Sequence, residues 1–167
     1  KVLRSGFKPD FIVGIWRGGT PVGIAVQELF EHFGVKTDHI AIRTSAYEGI
    51  ERQSETIRVH GLNYIVDKAD ASDSLLIVDD VYDTGLSIRA VIDSLTRLSR
   101  RNTPHDLRVA TVYFKPGNNR TERRPDYYIH ETEHWLVFPH ELKGLSRDEI
   151  ERHKPDIARI IHEDGSA

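Results

Sequence analysis

Residues 75–87, reading Leu-Leu-Ile-Val-Asp-Asp-Val-Tyr-Asp-Thr-Gly-Leu-Ser, restrict the fold more than any other stretch of the chain. Four apolar residues without alternation suit a strand buried on both faces, as in parallel sheets, and the carboxylates of Asp79 and Asp80 mark where it meets solvent. Asp83, Thr84 and Gly85 then make a turn, and Ser87 is an N-cap ahead of Ile88, Val91, Ile92, Leu95 and Leu98 at helical spacing. Such a strand, turn and helix gather backbone N–H groups, a helix N-terminus and the hydroxyls of Thr84 and Ser87 around one point, a receptor for a phosphate dianion. Asp79 and Asp80 stand one step earlier, where they suit sugar hydroxyls or a hydrated cation. The stretch therefore reads as a cradle for a ribose 5-phosphate. The plain alternative is a strand-to-helix turn whose acids are merely solvated. It is not a triphosphatase P-loop, because no Gly-x-x-x-x-Gly-Lys-Ser/Thr occurs.

Composition removes several classes of function. Lys plus Arg (23) nearly balance Asp plus Glu (26), so nothing in the net charge of −3 favours nucleic acid or an acidic membrane. The chain has no cysteine, hence no disulfide framework and no thiolate metal site. No apolar run approaches the ~18 residues of a membrane span, and a cytoplasmic location is the default expectation. At 167 residues, without a Pro/Gly/Ser-rich linker, the expectation is one domain over 1–167. The opening Lys1-Val2-Leu3 falls in mid-pattern, which suggests that some N-terminal residues are missing.

The remaining segments alternate in type. Residues 1–6 read as a helix end with Gly6 as C-cap, and Phe11, Ile12, Val13 and Ile15 as a short buried strand. Trp16-Arg17-Gly18-Gly19-Thr20-Pro21 is a turn with a cation and two glycines that permit close approach, followed by a helix with Ile24, Ala25, Leu29, Phe30 and Phe33 as its apolar face. Gly34 ends that helix, and Ile40, Ala41 and Ile42 form a second strand leading to Arg43-Thr44-Ser45-Ala46-Tyr47. Residues 45–73 are a long polar excursion expected to act as a mobile loop, with Ile57, Val59, Leu62, Tyr64, Ile65 and Val66 as material for a β-hairpin. Residues 107–114 read as another strand ending at Lys115, and residues 127–129 and 135–138 as two more. Ser146-Arg147-Asp148-Glu149 is a capping box that opens a helix, and Pro155, Ile157, Ile160 and Ile161 indicate one more. The fold class is α/β, a mainly parallel twisted sheet flanked by helices, with ligands at the carboxyl ends of its strands. Arg97, Arg100, Arg101, Arg120, Arg123 and Arg124 read as solvated helix and loop ends rather than a nucleic-acid patch.

Residues 75–87 resemble the 5-phosphoribosyl 1-diphosphate (PRPP) motif of the type I phosphoribosyltransferases. The order of Arg17-Gly18-Gly19, one strand and one helix earlier, is similar to the diphosphate loop of that family, where the peptide after the basic residue is often cis. Arg17-Gly18 is the bond in question. Three features point to the 6-oxopurine branch, which acts on hypoxanthine, guanine or xanthine: Asp83 before Thr-Gly, Lys115 at its strand end, and the segment Trp135-Leu136-Val137-Phe138-Pro139-His140-Glu141.

That resemblance implies a small hood from the chain ends, with elements in 126–167, and a loop that closes over the site with Ser45 and Tyr47 covering the diphosphate. It implies a ribose-phosphate site made of Asp79, Asp80, Asp83, Thr84, Gly85, Leu86 and Ser87. Arg17, Gly18, Ser45, Tyr47 and Arg147 would hold the diphosphate, and Mg²⁺ would sit at Asp79 and Asp80, with Glu141 at a second metal. Many relatives have Asp where Glu141 stands. Lys115 can donate to a purine 6-oxo group, Trp135 can stack on the ring, and carbonyls at Trp135 and Leu136 can accept its N–H groups. Asp83 is assigned to proton handling at purine N7. The implied partners are PRPP and a purine base, with no nucleic acid and no membrane, and a homodimer or homotetramer by analogy.

Two competing readings remain in view. His130-Glu131-Thr132-Glu133-His134 satisfies the zinc-protease pattern, which needs a helix: four residues rise ~6 Å there but span ~13 Å in a strand. Its flanks favour strands. Outside purine transferases, the runners-up are an orotate or uracil transferase and a PRPP-sensing regulator that binds nucleic acid.

Overall fold

The structure, a computed structural model, describes residues 1–47, 56–142 and 144–163. It divides into two compact units, Lys1–His134 and Trp135–Ala167. The first contains a six-stranded sheet in the order β3-β2-β1-β4-β5-β6. Its strands are β1 (Phe11–Trp16), β2 (Asp38–Tyr47), β3 (Thr56–His60), β4 (Ser74–Tyr82), β5 (Asp106–Phe114) and β6 (His130–Glu131). Among the described residues, only β3 runs antiparallel, pairing with β2. The other neighbours are parallel, with Phe11 opposite Leu75 and Ile77 opposite Val109. Helices α1 (Gly19–His32), α2 (Asn63–Lys68) and α3 (Leu86–Ser99) complete the unit. This is the expected α/β class.

The central strands explain why the sheet is covered on both faces. Leu75, Leu76, Ile77 and Val78 are all fully buried, and a side chain of that size contributes about 1.5–3 kcal/mol on burial. Because strand side chains alternate, Leu75 and Ile77 join Phe11, Val13, Ile65, Ile88, Val91 and Leu95 on the face of α2 and α3. Leu76 and Val78 join Ile12, Phe30 and Ala110 on the face of α1.

Several local expectations are corrected. The apolar face of α1 is turned: Gly19, Gly23 and Phe30 are buried with Val22 and Val26 against them, while Ile24, Leu29 and Phe33 are exposed. The close seating of Gly19 on Val78 sets that rotation. Residues 62–66 are not hairpin material, since Leu62, Ile65, Val66 and Ala69 recur at helical spacing and α2 buries Leu62 and Ile65. Within the expected loop over 45–73, the described residues include β3 and α2. Its residues 48–55 lie outside the described ones. Ser45 and Tyr47 belong to β2, opposite Arg58 and Thr56 of β3.

Residues 127–129 give a single bridge, Tyr127 with Ala110, and the strand follows at His130–Glu131. The first His-Glu of the zinc-like pattern is therefore in a strand, not a helix. Residues 135–138 form no strand. In the second unit, Lys154 Nζ donates to the carbonyls of Phe138 and Pro139, both at 2.8 Å, so this segment is held by a cation rather than a ladder. Helices α4 (Arg147–His153) and α5 (Pro155–Glu163) follow, and Ser146 with Glu149 forms the anticipated capping box.

Candidate active site

Three loops meet at the carboxyl ends of β1, β4 and β5. The first leaves β1 at Trp16 and enters α1 at Gly19. The cis peptide in this turn joins Trp16 to Arg17. It lies one bond earlier than the expected Arg17-Gly18, at the peptide that leaves β1. Arg17 is exposed.

The glycines bring this turn onto β4. A Cβ at Gly18 would stand 1.8 Å from Asp80 Oδ2, and one at Gly19 would stand 2.4 Å from the Val78 carbonyl and 2.9 Å from Asp79 Cα. At Gly19 the neighbours are backbone atoms, so only a bare backbone fits there.

The acidic pair lies inside β4 rather than beyond its end, because β4 continues to Tyr82 along β5, with Asp79 opposite Thr111 and Val81 opposite Tyr113. Asp79 Oδ1 accepts the Asp80 N–H at 3.0 Å and Asp80 Oδ1 the Val81 N–H at 2.8 Å. Burial first, and then the charge of Asp80, push the Asp79 carboxyl well above its ordinary value of 3.8. Hard oxygen donors with an uncompensated charge fit Mg²⁺, which keeps its waters and takes few carboxylates. Asp79 and Asp80 are the residues that would hold it.

A carboxyl whose value is raised by folding contributes fully below its unfolded value, and that contribution fades as pH rises through the raised one. Asp79→Asn should therefore raise the thermal midpoint of the ligand-free protein near neutral pH, by roughly 2–4 °C per kcal/mol relieved. The gain should vanish toward about pH 4, where the wild-type carboxyl is also neutral. Melting curves across that range, followed by circular dichroism, check it.

The second loop is the turn from β4 to α3. Gly85 has φ +76°, and a Cβ there would meet the Tyr82 ring at 2.6 Å and Thr121 Oγ1 at 2.8 Å. Gly85, not Ser87, is the N-cap of α3, and Leu86 opens the helix. The helix thus starts two residues earlier than a Ser87 cap would place it. Ser87 sits within the first helical turn, and Leu86 N–H reaches Thr84 Oγ1 at 3.4 Å. Uncapped N–H groups of this turn and helix face the same end of the sheet as Asp79 and Asp80.

The third loop follows β5 and supplies what the sequence alone did not show. Lys115 is 5% exposed, and its Nζ lies 3.2 Å from Asp83 Oδ2. Asn118 Nδ2 donates to the other oxygen, Asp83 Oδ1, at 2.9 Å. The loop is itself anchored: Gly117 N–H donates to Glu133 Oε1 at 2.9 Å and Arg120 N–H to the Thr84 carbonyl at 3.0 Å. Tyr82 Oη, within hydrogen-bond distance of Thr121 Oγ1 (2.9 Å), donates to the Arg123 carbonyl (3.0 Å). The cue for Asn118 was the Pro-Gly-Asn that closes the strand, a turn able to aim a short amide.

Register places Ser45 and Tyr47 past the end of β1, since Trp16 pairs with Arg43. Ser45 Oγ is 3.4 Å from His60 Nε2 across the hairpin. The remaining expected residues belong to the second unit. Trp135 is exposed and Leu136 half-buried. Glu141 Oε2 accepts the Phe138 N–H at 3.0 Å, so that carboxylate closes a turn of its own. Arg147 is the first residue of α4. An apolar groove of about 880 Å³ against α1, lined by Val22, Val26, Phe30 and Val112, contains none of these groups.

Comparison with known proteins accords with this geometry. A family model described as a phosphoribosyl transferase domain matches residues 1–147. The chain is 27% identical over 120 residues to the hypoxanthine-guanine phosphoribosyltransferase of Lactococcus lactis, a match that covers 72% of this chain and 60% of that protein. Among solved structures, the purine phosphoribosyltransferase of Pyrococcus horikoshii is 28% identical, with a TM-score of 0.63 and 84% of each chain covered. A Trypanosoma cruzi hypoxanthine phosphoribosyl transferase shares the fold at 17% identity, with a TM-score of 0.60 over 78% of this chain and 66% of that one.

Proposed function

The chain belongs to the phosphoribosyltransferase family, and from that premise we propose that it transfers the 5-phosphoribosyl group of PRPP to N9 of a 6-oxopurine, releasing diphosphate. The observation that carries this reading is the pairing of buried Lys115 with Asp83 beside the phosphate-binding turn. An ammonium donor and a carboxylate acceptor at adjacent strand ends match the 6-oxo group and the N7–H of one purine face. A 6-amino group would turn donors toward the Lys115 donor, so adenine is disfavoured.

In this reading the 5′-phosphate lies on the N–H groups of residues 84–87, and Asp79 and Asp80 hold the ribose. Arg17 and the backbone of Gly18 face the diphosphate. The N9–C1 bond forms as the bond from C1 to the diphosphate oxygen breaks, and Asp83 takes the N7 proton as ring charge develops. Mg²⁺, when bound, neutralises the diphosphate. The protein contributes chiefly orientation and fixed charge. Such a reaction would recover free bases as nucleotides.

Purified protein with PRPP and Mg²⁺ is tested against hypoxanthine, guanine, xanthine, adenine, orotate and uracil. Nucleotide from a 6-oxopurine supports the reading. Turnover of orotate or uracil alone would overturn the base assignment, and turnover of none would overturn the activity.

A further inference from the structure

We propose that Asn118 is the positioning residue of Asp83: its amide fixes one carboxylate oxygen so that the other is presented to the base. The inference rests on the 6-oxopurine transfer reading. Asp83 has two donors in the free protein, Asn118 Nδ2 on Oδ1 at 2.9 Å and Lys115 Nζ on Oδ2 at 3.2 Å. The two donors differ in kind. An ammonium on a flexible stem can redirect its protons, and Lys115 must do so to reach a 6-oxo group. As it turns, Oδ2 gives up part of a donor and becomes the oxygen able to accept the N7 proton.

Asn118 has no such second task. It sits on a one-turn 3-10 segment, Pro116–Asn118, whose Gly117 N–H is held by Glu133 and whose continuation is tied to Thr84 through Arg120. The amide therefore arrives at Asp83 on a braced backbone. It keeps the carboxylate plane from rotating when Lys115 changes partner.

Asn118 is exposed, so its loss should leave the melting temperature nearly unchanged and register in the chemical step. Misplacing a reacting group by about 1 Å can cost 10²-fold. Asn118→Ala should lower kcat about 10–100-fold while the KM for PRPP stays within about twofold. Asn118→Asp, of the same shape but without the donor, should be at least as slow.

The deciding measurement is a double-mutant cycle with Asp83→Asn. If Asn118 acts through Asp83, Asn118→Ala costs little more than about twofold in the Asp83→Asn background. An unchanged cost in that background, or a wild-type kcat in Asn118→Asp, would overturn the proposal while leaving the transfer reading intact. A wild-type protein that converts no 6-oxopurine would instead remove the reading on which the proposal rests.

Discussion

Asp83→Asn should lower kcat by about 10²–10⁴, the span a positioned acid–base group supplies, with the KM for PRPP little changed. The substitution keeps the volume and one acceptor. It places an amide N–H against either Lys115 or Asn118, both of which are donors at Asp83. It also takes the counter-charge from a lysine that is 5% exposed. Removing one partner of a buried ion pair costs about 3–5 kcal/mol. Because the Asp83 side chain is 41% exposed and wetted, a loss of about 1–3 kcal/mol is expected here. Saturating kinetics measured well below the melting temperature separate the two effects. A variant that retains wild-type kcat would exclude Asp83 from the chemistry.

Gly19→Ala should be strongly disruptive for a single added methyl. Its Cβ would lie 2.4 Å from the Val78 carbonyl and 2.9 Å from Asp79 Cα, both backbone atoms that cannot rotate aside. Overpacking costs about 1–3 kcal/mol and occasionally more, and a clash with fixed backbone belongs at the upper end. Any relaxation must separate β1 and α1 from β4, and the turn carrying Arg17 moves with them. A large rise in the KM for PRPP should therefore accompany the lower urea midpoint. Gly23→Ala is the matched control, one turn further along α1. Its Cβ would make an ordinary 3.6 Å contact with Gly14 Cα, and helix propensity favours alanine by about 0.5–1 kcal/mol. It should be neutral or slightly stabilising. Equal losses in the two variants would refute the close approach of the two loops.

What could be read from the sequence was what local chemistry decides. The unbroken apolar run at 75–78, the acidic pair and the glycine turn identify β4, its carboxyl end and α3, because each rests on neighbours in sequence. The Ser146 capping box is legible for the same reason. The errors lie where tertiary contacts decide. The exposed side of α1 carries Ile24, Leu29 and Phe33 because Gly19 must face Val78, a constraint set by a strand some sixty residues away. The helix α2 was hidden inside a polar segment, since six residues offer too short a window for periodicity. Gly85 rather than Ser87 caps α3, its left-handed backbone turning the chain into the helix at Leu86. Asn118 offered only the turn signal of Pro116-Gly117-Asn118. Its meaning comes from Asp83, which is distant in sequence and adjacent in space.

The most direct test of the account compares nucleotide formation from guanine or hypoxanthine with that from adenine, for wild type and Lys115→Met. The wild type should convert a 6-oxopurine and reject adenine by at least about 10²-fold in kcat/KM, because the Lys115 ammonium can only donate. Lys115→Met, close in length but without donor or charge, should lose most 6-oxopurine turnover and with it most of that discrimination. A wild type that prefers adenine, or a Lys115→Met variant with undiminished preference for the oxo base, would contradict the assignment of Lys115 and Asp83 as the purine clasp.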